Sequence, residues 1–507
     1  MGETRTAEAR TSAESVSGAI LQPLDETRVR SFHVRTILVA GMGFFTDAYD
    51  LFVIGLIAAL FAFYQPFAIQ GTLFNITLGG ATAAVTGIGL ISAAAIFGAA
   101  VGPFIFGRLG DRLGRKTIYG IEMLILVFGA LGSALAWSFA SLILFRLVLG
   151  FGIGGDYPMS ATIMSEYSNV KHRGKLVGTV FAMQGFGLLS GVVLGLGLLI
   201  LFPHNLELVW RALLGAGAIP AAAVYYYRRR LPETPRFTLQ VKNDRREAAQ
   251  VVRQLTGAPV VLAGEGREQR TGLRQFFARY WPLLLGTSFS WFFFDISFYG
   301  TSIYTPTLLS ALSLSVSPHL SAVSHLVVAE EYNAIITLLF TVPGYWIAVA
   351  VIDRVGRKTL QAVGFGVMAL CFAVLGLDSS LIALGAPFVL IYGLTFLFGN
   401  IGPNTTTFII PTEVFPTAYR TTGHGISAGS GKIGASISTV FFATLVLLWS
   451  PSGMMLFLAV IAVAGLVTTL ALLKETKQRT LEESSQPSGR GMGYVASSVG
   501  GPGVFSK

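Results

Sequence analysis

The chain has 507 residues, of which 53% are apolar and only 12% are charged. Soluble domains carry about 25% charged residues, so this composition argues against a soluble protein. The formal net charge of +10 could suit a nucleic-acid-binding protein, but the placement of the basic residues excludes that class, as shown below.

Apolar stretches of the ~20 residues needed to cross a bilayer recur along the chain. The 59 glycines fit this pattern, because small residues let membrane helices pack closely. We therefore predict an all-α membrane protein with twelve transmembrane spans, numbered 1 to 12 in chain order. Their predicted bounds are 36–62, 84–107, 117–137, 139–166, 176–202, 207–227, 281–311, 331–352, 359–377, 380–412, 421–449 and 453–473.

Lys and Arg residues mark one side of the predicted bundle. They are concentrated in both tails, in the gaps after spans 2, 4, 8 and 10, and in the central loop, whereas the gaps 63–83, 203–206, 312–330 and 450–452 contain none. By the positive-inside rule, both termini and the central loop are expected in the cytoplasm. The basic excess is therefore a topology signal.

These features predict five regions. They are a cytoplasmic N-terminal tail 1–35, an N-terminal six-helix bundle 36–227, a cytoplasmic linker loop 228–280, a C-terminal six-helix bundle 281–473 and a disordered, Gly/Ser-rich cytoplasmic tail 474–507. The linker is expected to form amphipathic helices from Arg245 onward. One cysteine and six scattered histidines indicate no disulfide, metal site, cofactor or catalytic triad, so we expect no enzyme.

Three motifs recur in the same order in both predicted bundles. This duplication predicts two copies of one helical bundle, with a solute site where the halves meet. The first copies are Asp111–Lys116, Glu166 with Arg173, and Glu233-Thr234; the second copies are Asp353–Lys358, Glu413 with Arg420, and Glu475-Thr476.

The same motifs resemble those of the major facilitator superfamily. Gly107–Lys116 matches its loop after span 2, Arg146 with the glycines up to Gly154 matches its span 4 motif, and Leu231–Arg236 matches its segment after span 6. The resemblance implies a charged latch on the inner side, in which Asp111 pairs with an Arg173-type partner in one conformation and releases it in the other. The expected latch residues are Asp111, Arg115, Glu166, Arg173, Asp353, Arg357, Glu413 and Arg420.

Inside the spans, the chain is similar to the phosphate:proton symporter family of that superfamily. The similarity runs over roughly residues 35–475 and is carried by Phe44–Asp50, Gly154–Pro158, Trp291–Tyr299 and Gly402–Phe408, with Gln184 and Lys432. It implies a phosphate site at the midplane. The expected phosphate-binding residues are Tyr157, Gln184, Trp291, Asp295, Tyr299, Asn404 and Lys432.

The charges predicted deep in the bilayer support a site independently. A charged side chain there costs about 2.5–3.5 kcal/mol, which indicates ion pairing, proton transfer or an aqueous cavity. The four acids are Asp47, Asp50, Asp156 and Asp295, and they face two deep bases, Arg146 and Lys432. We therefore expect at least one carboxylate to be neutral part of the time, while purely structural salt bridges remain an alternative.

Helical spacing arranges these groups. Trp291, Asp295 and Tyr299 are four residues apart and form a polar stripe along span 7. Lys432 suits a tetrahedral oxyanion as a point charge, and Asp295 can accept the proton that phosphate, unlike sulfate, carries near neutral pH. Gly155 with Pro158 predicts a break in span 4, and Gly402-Pro403 predicts the same break in span 10.

The proton-coupling roles come from the resemblance. It implies that Asp47, Asp50 and Asp156 carry protons. Arg146 is expected either to stabilise an ionised carboxylate in the inward-facing state or to anchor Asp47.

We therefore expect a proton-coupled inorganic phosphate importer that works by alternating access in the plasma membrane. Its expected partners are phosphate, protons and the lipid bilayer, with no nucleic acid. A carrier of a glycerophosphodiester or a sugar, and a phosphate receptor with a carrier fold, remain open as alternatives.

Overall fold

The computed structural model describes residues 19–67, 72–78, 81–260, 272–316, 319–383 and 385–486. The described chain is almost entirely helical and forms two halves, each built from six helical spans. We call the side that holds both tails and the linker the tail side, and the opposite side the distal side.

The N-terminal half contains spans 1 to 6. Several of its helices begin at capping residues: Thr86 accepts a hydrogen bond from the backbone nitrogen of Gly89, and Ser138 forms a capping box with Ser141. The helices are Ser31–Phe52 and Ile54–Phe61 (span 1), Gly87–Leu113 (span 2), Arg115–Ile118 and Ile121–Ala134 (span 3), Phe139–Tyr167 (span 4), Arg173–Leu201 (span 5), and Leu206–Ala216 and Ala218–Arg228 (span 6).

The C-terminal half contains spans 7 to 12. The long helix Arg420–Leu472 reverses direction at Ser450, where φ is 62°, and Pro451 follows. The helices are Leu273–Val316 (span 7), Ala322–Ile336, the π-helical turn Thr337–Thr341 and Val342–Val355 (span 8), Arg357–Leu377 (span 9), Ala386–Gly399, the π-helical turn Asn400–Asn404 and Thr405–Val414 (span 10), and the two parts of Arg420–Leu472 (spans 11 and 12).

Among the described residues, ten helices are long and apolar enough to cross a membrane. The other two predicted spans correspond to span 7 and to the part of Arg420–Leu472 before Ser450. The prediction of an all-helical chain misses one feature. A two-stranded antiparallel hairpin, Thr72–Leu78 with Ala81–Thr86, precedes span 2, so that span begins at Gly87 and not at residue 84.

The repeated Asp-Arg-x-Gly-Arg-Lys motif has the same backbone role in both halves. Gly114 ends span 2 with φ of 99°, and Gly356 ends span 8 with φ of 107°. Glycine adopts such positive φ values at little cost, whereas other residues do so rarely. The motif therefore requires glycine where one span turns sharply into the next.

The tail side is covered by shorter elements. The linker forms helices Pro235–Gln240 and Arg245–Thr256; in the second, Ala248, Val252 and Leu255 are buried on one face, as the amphipathic pattern predicts. Residues 474–486 differ from the predicted disordered tail: Thr476 and Leu481 are buried, and Leu481–Ser484 is helical. The rest of that tail, 487–507, lies outside the described residues.

The halves meet along three pairs of spans. Span 2 packs against span 11, span 5 against span 8, and span 1 against span 7. This interface contains the buried polar residues described next.

Candidate functional site between the two halves

A buried ion pair lies in the C-terminal half. Lys432 of span 11 donates a hydrogen bond from Nζ to Oδ2 of Asp295 in span 7 at 2.8 Å, and both side chains are at most 2% exposed. An ammonium and a carboxylate cancel each other's charge at this distance, so neither is an isolated charge in the bilayer. Lys432 and Asp295, two predicted phosphate-binding residues from different spans, are therefore in direct contact.

Three aromatic rings surround the ammonium group. Nζ of Lys432 lies 4.6 Å from the ring centroid of Tyr157, 4.5 Å from that of Tyr299 and 5.8 Å from that of Trp291. The hydroxyls of Tyr157 and Tyr299 are 3.5 Å apart, across the interface between the halves. Ring faces stabilise a desolvated cation, so the cage suits an ammonium group and brings two tyrosines beside it.

The predicted polar stripe of span 7 is present, because one continuous helix carries Trp291, Asp295 and Tyr299 and buries all three. Gly431 makes this packing close: a Cβ at that position would lie 2.5 Å from Cδ1 of Trp291. Span 11 thus approaches span 7 at the residue next to Lys432, which positions the ammonium against the stripe.

Gln184 and Asn404 are buried at the interface but are not seen to contact Lys432. Asn404 donates from Nδ2 to the hydroxyl of Tyr345 at 2.8 Å and to Oδ1 of Asn400 at 2.7 Å. Nε2 of Gln184 has no hydrogen-bond partner within the described part of the chain. Gln184 therefore retains a free donor, whereas both amide hydrogens of Asn404 are in use.

The second cluster lies in the N-terminal half and contains an ion pair that the sequence did not suggest. Arg228, at the end of span 6, donates to Asp156 through two nitrogens, at 3.0 Å and 2.7 Å, and to Glu122 of span 3 at 3.2 Å. All three side chains are at most 1% exposed. The expectation of only two deep bases is wrong, since Arg228 is a third and neutralises Asp156.

Arg228 was missed because it begins a run of three arginines, which suggested the start of the linker loop at residue 228. Its burial depends on Gly43 of span 1, where a Cβ would lie 1.7 Å from one guanidinium nitrogen and 2.5 Å from Asp156 Oδ2. One signal in the sequence could have revealed a partner for Arg228. Glu122 is a lone acid near the start of the apolar run predicted as span 3.

The remaining predicted proton carriers are buried without hydrogen-bond partners. Both carboxylate oxygens of Asp47 and of Asp50, and all three guanidinium nitrogens of Arg146, have none among the residues that the structure describes. Asp47 lies in the field of Asp156 and Arg228, whereas Arg146 interacts electrostatically with Asp50. The structure therefore places Arg146 near Asp50 and does not show it anchoring Asp47.

Of the two predicted helix breaks, one is confirmed and one is wrong. Span 10 contains a π-helical turn in which Gly402 has φ of −104° and ψ of −106°, next to Pro403. Span 4, in contrast, is one helix from Phe139 to Tyr167 with Pro158 inside it. Gly155 serves packing there, because a Cβ would lie 2.6 Å from the ring of Phe106.

The predicted latch residues form two related networks on the tail side. In the first, Asp111 of span 2 accepts hydrogen bonds from the backbone nitrogens of Thr421 at 3.2 Å and Thr422 at 2.7 Å. In the second, Asp353 of span 8 accepts from those of Gly174 at 3.0 Å and Lys175 at 2.9 Å. In both, a carboxylate of one half binds the first turn of a helix in the other half, which the helix dipole favours.

The arginines of the first network bind a common acid. Glu166 accepts from Arg115 at 3.1 Å and from Arg420 of the other half at 2.9 Å. In this conformation Asp111 binds backbone nitrogens and lies 3.4 Å from Arg115. The expected exchange of an arginine partner between two conformations stays a prediction.

The second network repeats this arrangement with one difference. Arg357 binds Glu413 through two nitrogens at 3.1 Å and 2.9 Å, while Arg173 approaches Glu413 only to 4.0 Å. Glu233 and Glu475 also have equivalent roles, since each accepts a hydrogen bond from the backbone nitrogen of the lysine that ends the Asp-Arg-x-Gly-Arg-Lys motif of its own half, Lys116 and Lys358 respectively. The tail side is thus closed by two networks of the same design.

The halves also contact each other on the distal side. Gly55 of span 1 packs so closely on span 7 that a Cβ would lie 2.6 Å from the carbonyl oxygen of Ile303. On the tail side, a Cβ on Gly107 would lie 2.5 Å from the carbonyl oxygen of Thr421. Because both sides are in contact, this conformation encloses the Lys432–Asp295 pair between the halves.

The family described as "Sugar (and other) transporter" matches residues 36–486. The chain is 39% identical to "Inorganic phosphate transporter 1-6" of Oryza sativa subsp. japonica, over 92% of this chain and 95% of that protein. It is 37% identical to "Inorganic phosphate transporter 1-4" of Arabidopsis thaliana and 36% identical to "Low affinity inorganic phosphate transporter 1" of Petunia hybrida, in each case over 92% of this chain and 95% of the relative.

Solved structures show the same fold. The major facilitator superfamily proton:xylose symporter XylE bound to 6-bromo-6-deoxy-D-glucose aligns with a TM-score of 0.70 and 19% sequence identity, covering 90% of this chain and 98% of that one. An inward open conformation of XylE from E. coli aligns with a TM-score of 0.63 and 19% identity, over 88% of this chain and 98% of that one. The architecture is therefore the major facilitator fold.

Proposed function

The chain belongs to the sugar (and other) transporter family, and on that premise we propose that it carries inorganic phosphate across a membrane together with protons. The support comes from its similarity to named phosphate transporters over most of its length and from the site between its halves. One observation carries the proposal: the buried cation Lys432 is paired with a carboxylate that can be neutralised by a proton.

The charge balance links phosphate to protons. The Lys432–Asp295 pair has no net charge when the site holds no anion. Dihydrogen phosphate adds one negative charge, and burying this uncompensated charge in a low-dielectric site is unfavourable. A proton on Asp295 restores neutrality and releases Nζ of Lys432 to bind a phosphate oxygen. At least one proton therefore accompanies each phosphate ion.

The surrounding donors suit a tetrahedral oxyanion. Tyr157 and Tyr299 place hydroxyls beside the ammonium, Trp291 supplies an indole N–H, and Gln184 holds a free amide donor nearby in the interface. Asn404 joins this set when it releases Tyr345 or Asn400. An anion with many acceptor oxygens satisfies such a group of donors.

The N-terminal cluster is the proposed route for further protons. Asp47 and Asp50 are buried carboxylates without hydrogen-bond donors in the described chain, while Asp156 is fixed by Arg228. A buried carboxylate that accepts no hydrogen bond favours its neutral, protonated form more than one held by two hydrogen bonds from an arginine. Asp47 and Asp50 are therefore the carboxyls best placed to bind and release protons, and Arg146 acts on Asp50.

Alternating access follows from the closed contacts. The two tail-side networks open to release phosphate on that side, and the contact between Gly55 and span 7 opens to admit it on the distal side. With the termini in the cytoplasm of a plasma membrane, this cycle imports phosphate. The protein catalyses no covalent chemistry in this scheme.

The test is uptake of labelled phosphate into liposomes that contain the purified protein, with and without an inward proton gradient. We expect accumulation only with the gradient, competition by arsenate, and little competition by sulfate. Equal competition by a glycerophosphodiester would identify a phosphodiester carrier, and binding without uptake would identify a receptor.

A further inference from the structure

A cavity with both apolar and polar walls lies between the halves on the distal side of the Lys432–Asp295 pair. It offers about 40 Å³ of space to water-sized molecules, enough for roughly two or three waters. Its apolar wall comes from spans 1, 5, 7, 8 and 10, and its polar residues are Ser302, Thr305, Glu330, Asn333, Thr337 and Thr341.

Glu330 is the ionisable residue among those that line this cavity. The prediction placed it in the gap before span 8, but the helix begins at Ala322, so Glu330 lies about 12 Å inside the span at 1.5 Å per residue. Its side chain is 1% exposed. Oε2 accepts a hydrogen bond from Asn333 at 3.2 Å, and Oε1 has no partner in the described part of the chain.

No ion pair of this carboxyl group is present among the residues that the structure describes. The cavity wall contains no Lys, Arg or His. Three ionisable groups on the helices that pack against the cavity already have partners. The hydroxyl of Tyr304 donates to the carbonyl oxygen of Thr439, and Asp295 is paired with Lys432. The hydroxyl of Tyr392 forms hydrogen bonds with Thr305 and Thr301. On its own helix, His325 is buried and Glu331 is exposed.

An unpaired carboxylate inside a membrane helix is costly, whereas a protonated carboxyl group can donate a hydrogen bond. Ser302 Oγ also lacks a partner among the described residues and lines the same cavity. It offers an acceptor there, directly or through a water molecule. The closed structure therefore favours the neutral form of Glu330.

The cavity is separated from the ion pair by one aromatic layer. Phe52 lines the cavity and stacks on Tyr299 of the cage with ring centroids 5.0 Å apart. Ser302 lies seven residues beyond Asp295 along span 7, about 10 Å toward the distal side. The cavity with Glu330 therefore lies between the distal side and the ion pair, one aromatic layer away from the cage around Lys432.

We propose that Glu330 is a proton-binding residue of the distal passage, and that its protonation is required for the two halves to close over the substrate on that side. This inference rests on the proposed function, since the proton acts in the transport cycle. An O–H bond forms between Oε1 and a proton from the distal solution as the cavity closes. The same bond breaks when the passage reopens, and the proton returns to that solution.

The experiment measures distal closure directly. In a Cys371→Ser background, Leu56→Cys places one thiol in the cavity wall, and its labelling by a membrane-impermeant maleimide is followed at distal pH 5.5 and 7.5. Rates are divided by those of Ser321→Cys, an exposed reference position. Phosphate exchange is measured in the same liposomes.

With Glu330 present, we expect normalised labelling to be at least about tenfold slower at pH 5.5 than at pH 7.5, which corresponds to about 1.4 kcal/mol. Glu330→Gln, which mimics the neutral acid, should label slowly at both pH values, and Glu330→Asp should restore part of the pH dependence. Glu331→Gln, the exposed neighbour, should behave like the parent protein.

An unchanged pH ratio in Glu330→Gln overturns this inference while leaving the proposed function intact, provided that phosphate exchange persists. If the parent protein shows pH-dependent labelling but exchanges no phosphate, the proposed function is overturned. The role of Glu330 in closure is not affected by that result. If Glu330→Gln is unstable, the Asp variant alone decides: a pH ratio below that of the parent protein, with the dependence partly retained as expected above, supports the inference, and a ratio equal to that of the parent protein overturns it.

Discussion

Lys432 donates a hydrogen bond to Asp295 at 2.8 Å, so the cation proposed to bind phosphate is already paired with an internal anion. A competing anion displaces this carboxylate most readily when the carboxylate gains a proton. The pair therefore acts as a switch in which proton binding and phosphate binding favour each other.

Asp295→Asn should separate phosphate exchange from proton-driven accumulation. The amide cannot bind a proton, so Lys432 remains free for the anion but the link to the proton gradient is lost. We expect exchange of labelled phosphate to continue while accumulation under a pH gradient falls to the level without one, with sulfate becoming a better competitor. Asp378→Asn, at an exposed position, is the control, and gradient-driven accumulation by Asp295→Asn at the parent rate contradicts the switch.

Arg228→Ala should destabilise the protein strongly. It leaves Asp156 and Glu122 buried without a counter-charge, and removing one partner of a buried ion pair costs about 3–5 kcal/mol. The melting temperature in detergent should fall by several degrees, while Arg229→Ala, at the exposed neighbouring arginine, should leave it unchanged. Equal melting temperatures for the two variants would show that the triad is not a structural element.

Asp111→Asn should weaken closure on the tail side. The amide keeps the shape of the side chain but loses the charge that binds the first turn of the helix beginning at Arg420. We expect a single cysteine facing the tail-side interface to be labelled more rapidly than in the parent protein. Asp353→Asn, the equivalent change in the other half, should act in the same direction, and unaltered labelling in both variants argues against the networks as latches.

Gly55→Val should hold the distal side open. Its side chain would overlap the carbonyl of Ile303, to which even a Cβ would lie at 2.6 Å. We expect phosphate binding from the distal side to persist while uptake stops. Gly197→Val is the matched control, since no atom lies within 4 Å of a Cβ there. Uptake by Gly55→Val at the rate of the control is incompatible with the proposed closure.

The sequence predicted those parts of the fold and site that depend on local pattern. Helical spacing placed Trp291, Asp295 and Tyr299 on one face, and the predicted duplication is confirmed at the Asp-Arg-x-Gly-Arg-Lys motif, which makes the same turn at Gly114 and at Gly356. The turn at Gly402 was also predicted correctly, because glycine followed by proline disfavours continuation of an ordinary helix.

The parts that were missed depend on which helices pack together. Arg228 belongs to a basic run that hydropathy assigns to the linker, and its burial appears only when spans 1, 3 and 4 pack around it and supply Gly43, Glu122 and Asp156. Glu330 was placed just before span 8 because two adjacent acids, Glu330 and Glu331, interrupt the apolar run, whereas the helix already begins at Ala322. Pro158 does not break span 4, since a proline is tolerated in a membrane helix whose neighbours satisfy the backbone.

The most direct test of the central claim is phosphate uptake by the double variant Lys432→Gln with Asp295→Asn. Removing both charges avoids leaving Asp295 unpaired, so we expect the variant to fold and to melt within a few degrees of the parent protein. Loss of a charge-assisted hydrogen bond worth about 1.5–3 kcal/mol should lower phosphate affinity by about ten- to 150-fold and abolish gradient-driven uptake. Saturable uptake with the affinity and proton dependence of the parent protein would contradict the assignment of Lys432 as the phosphate-binding cation.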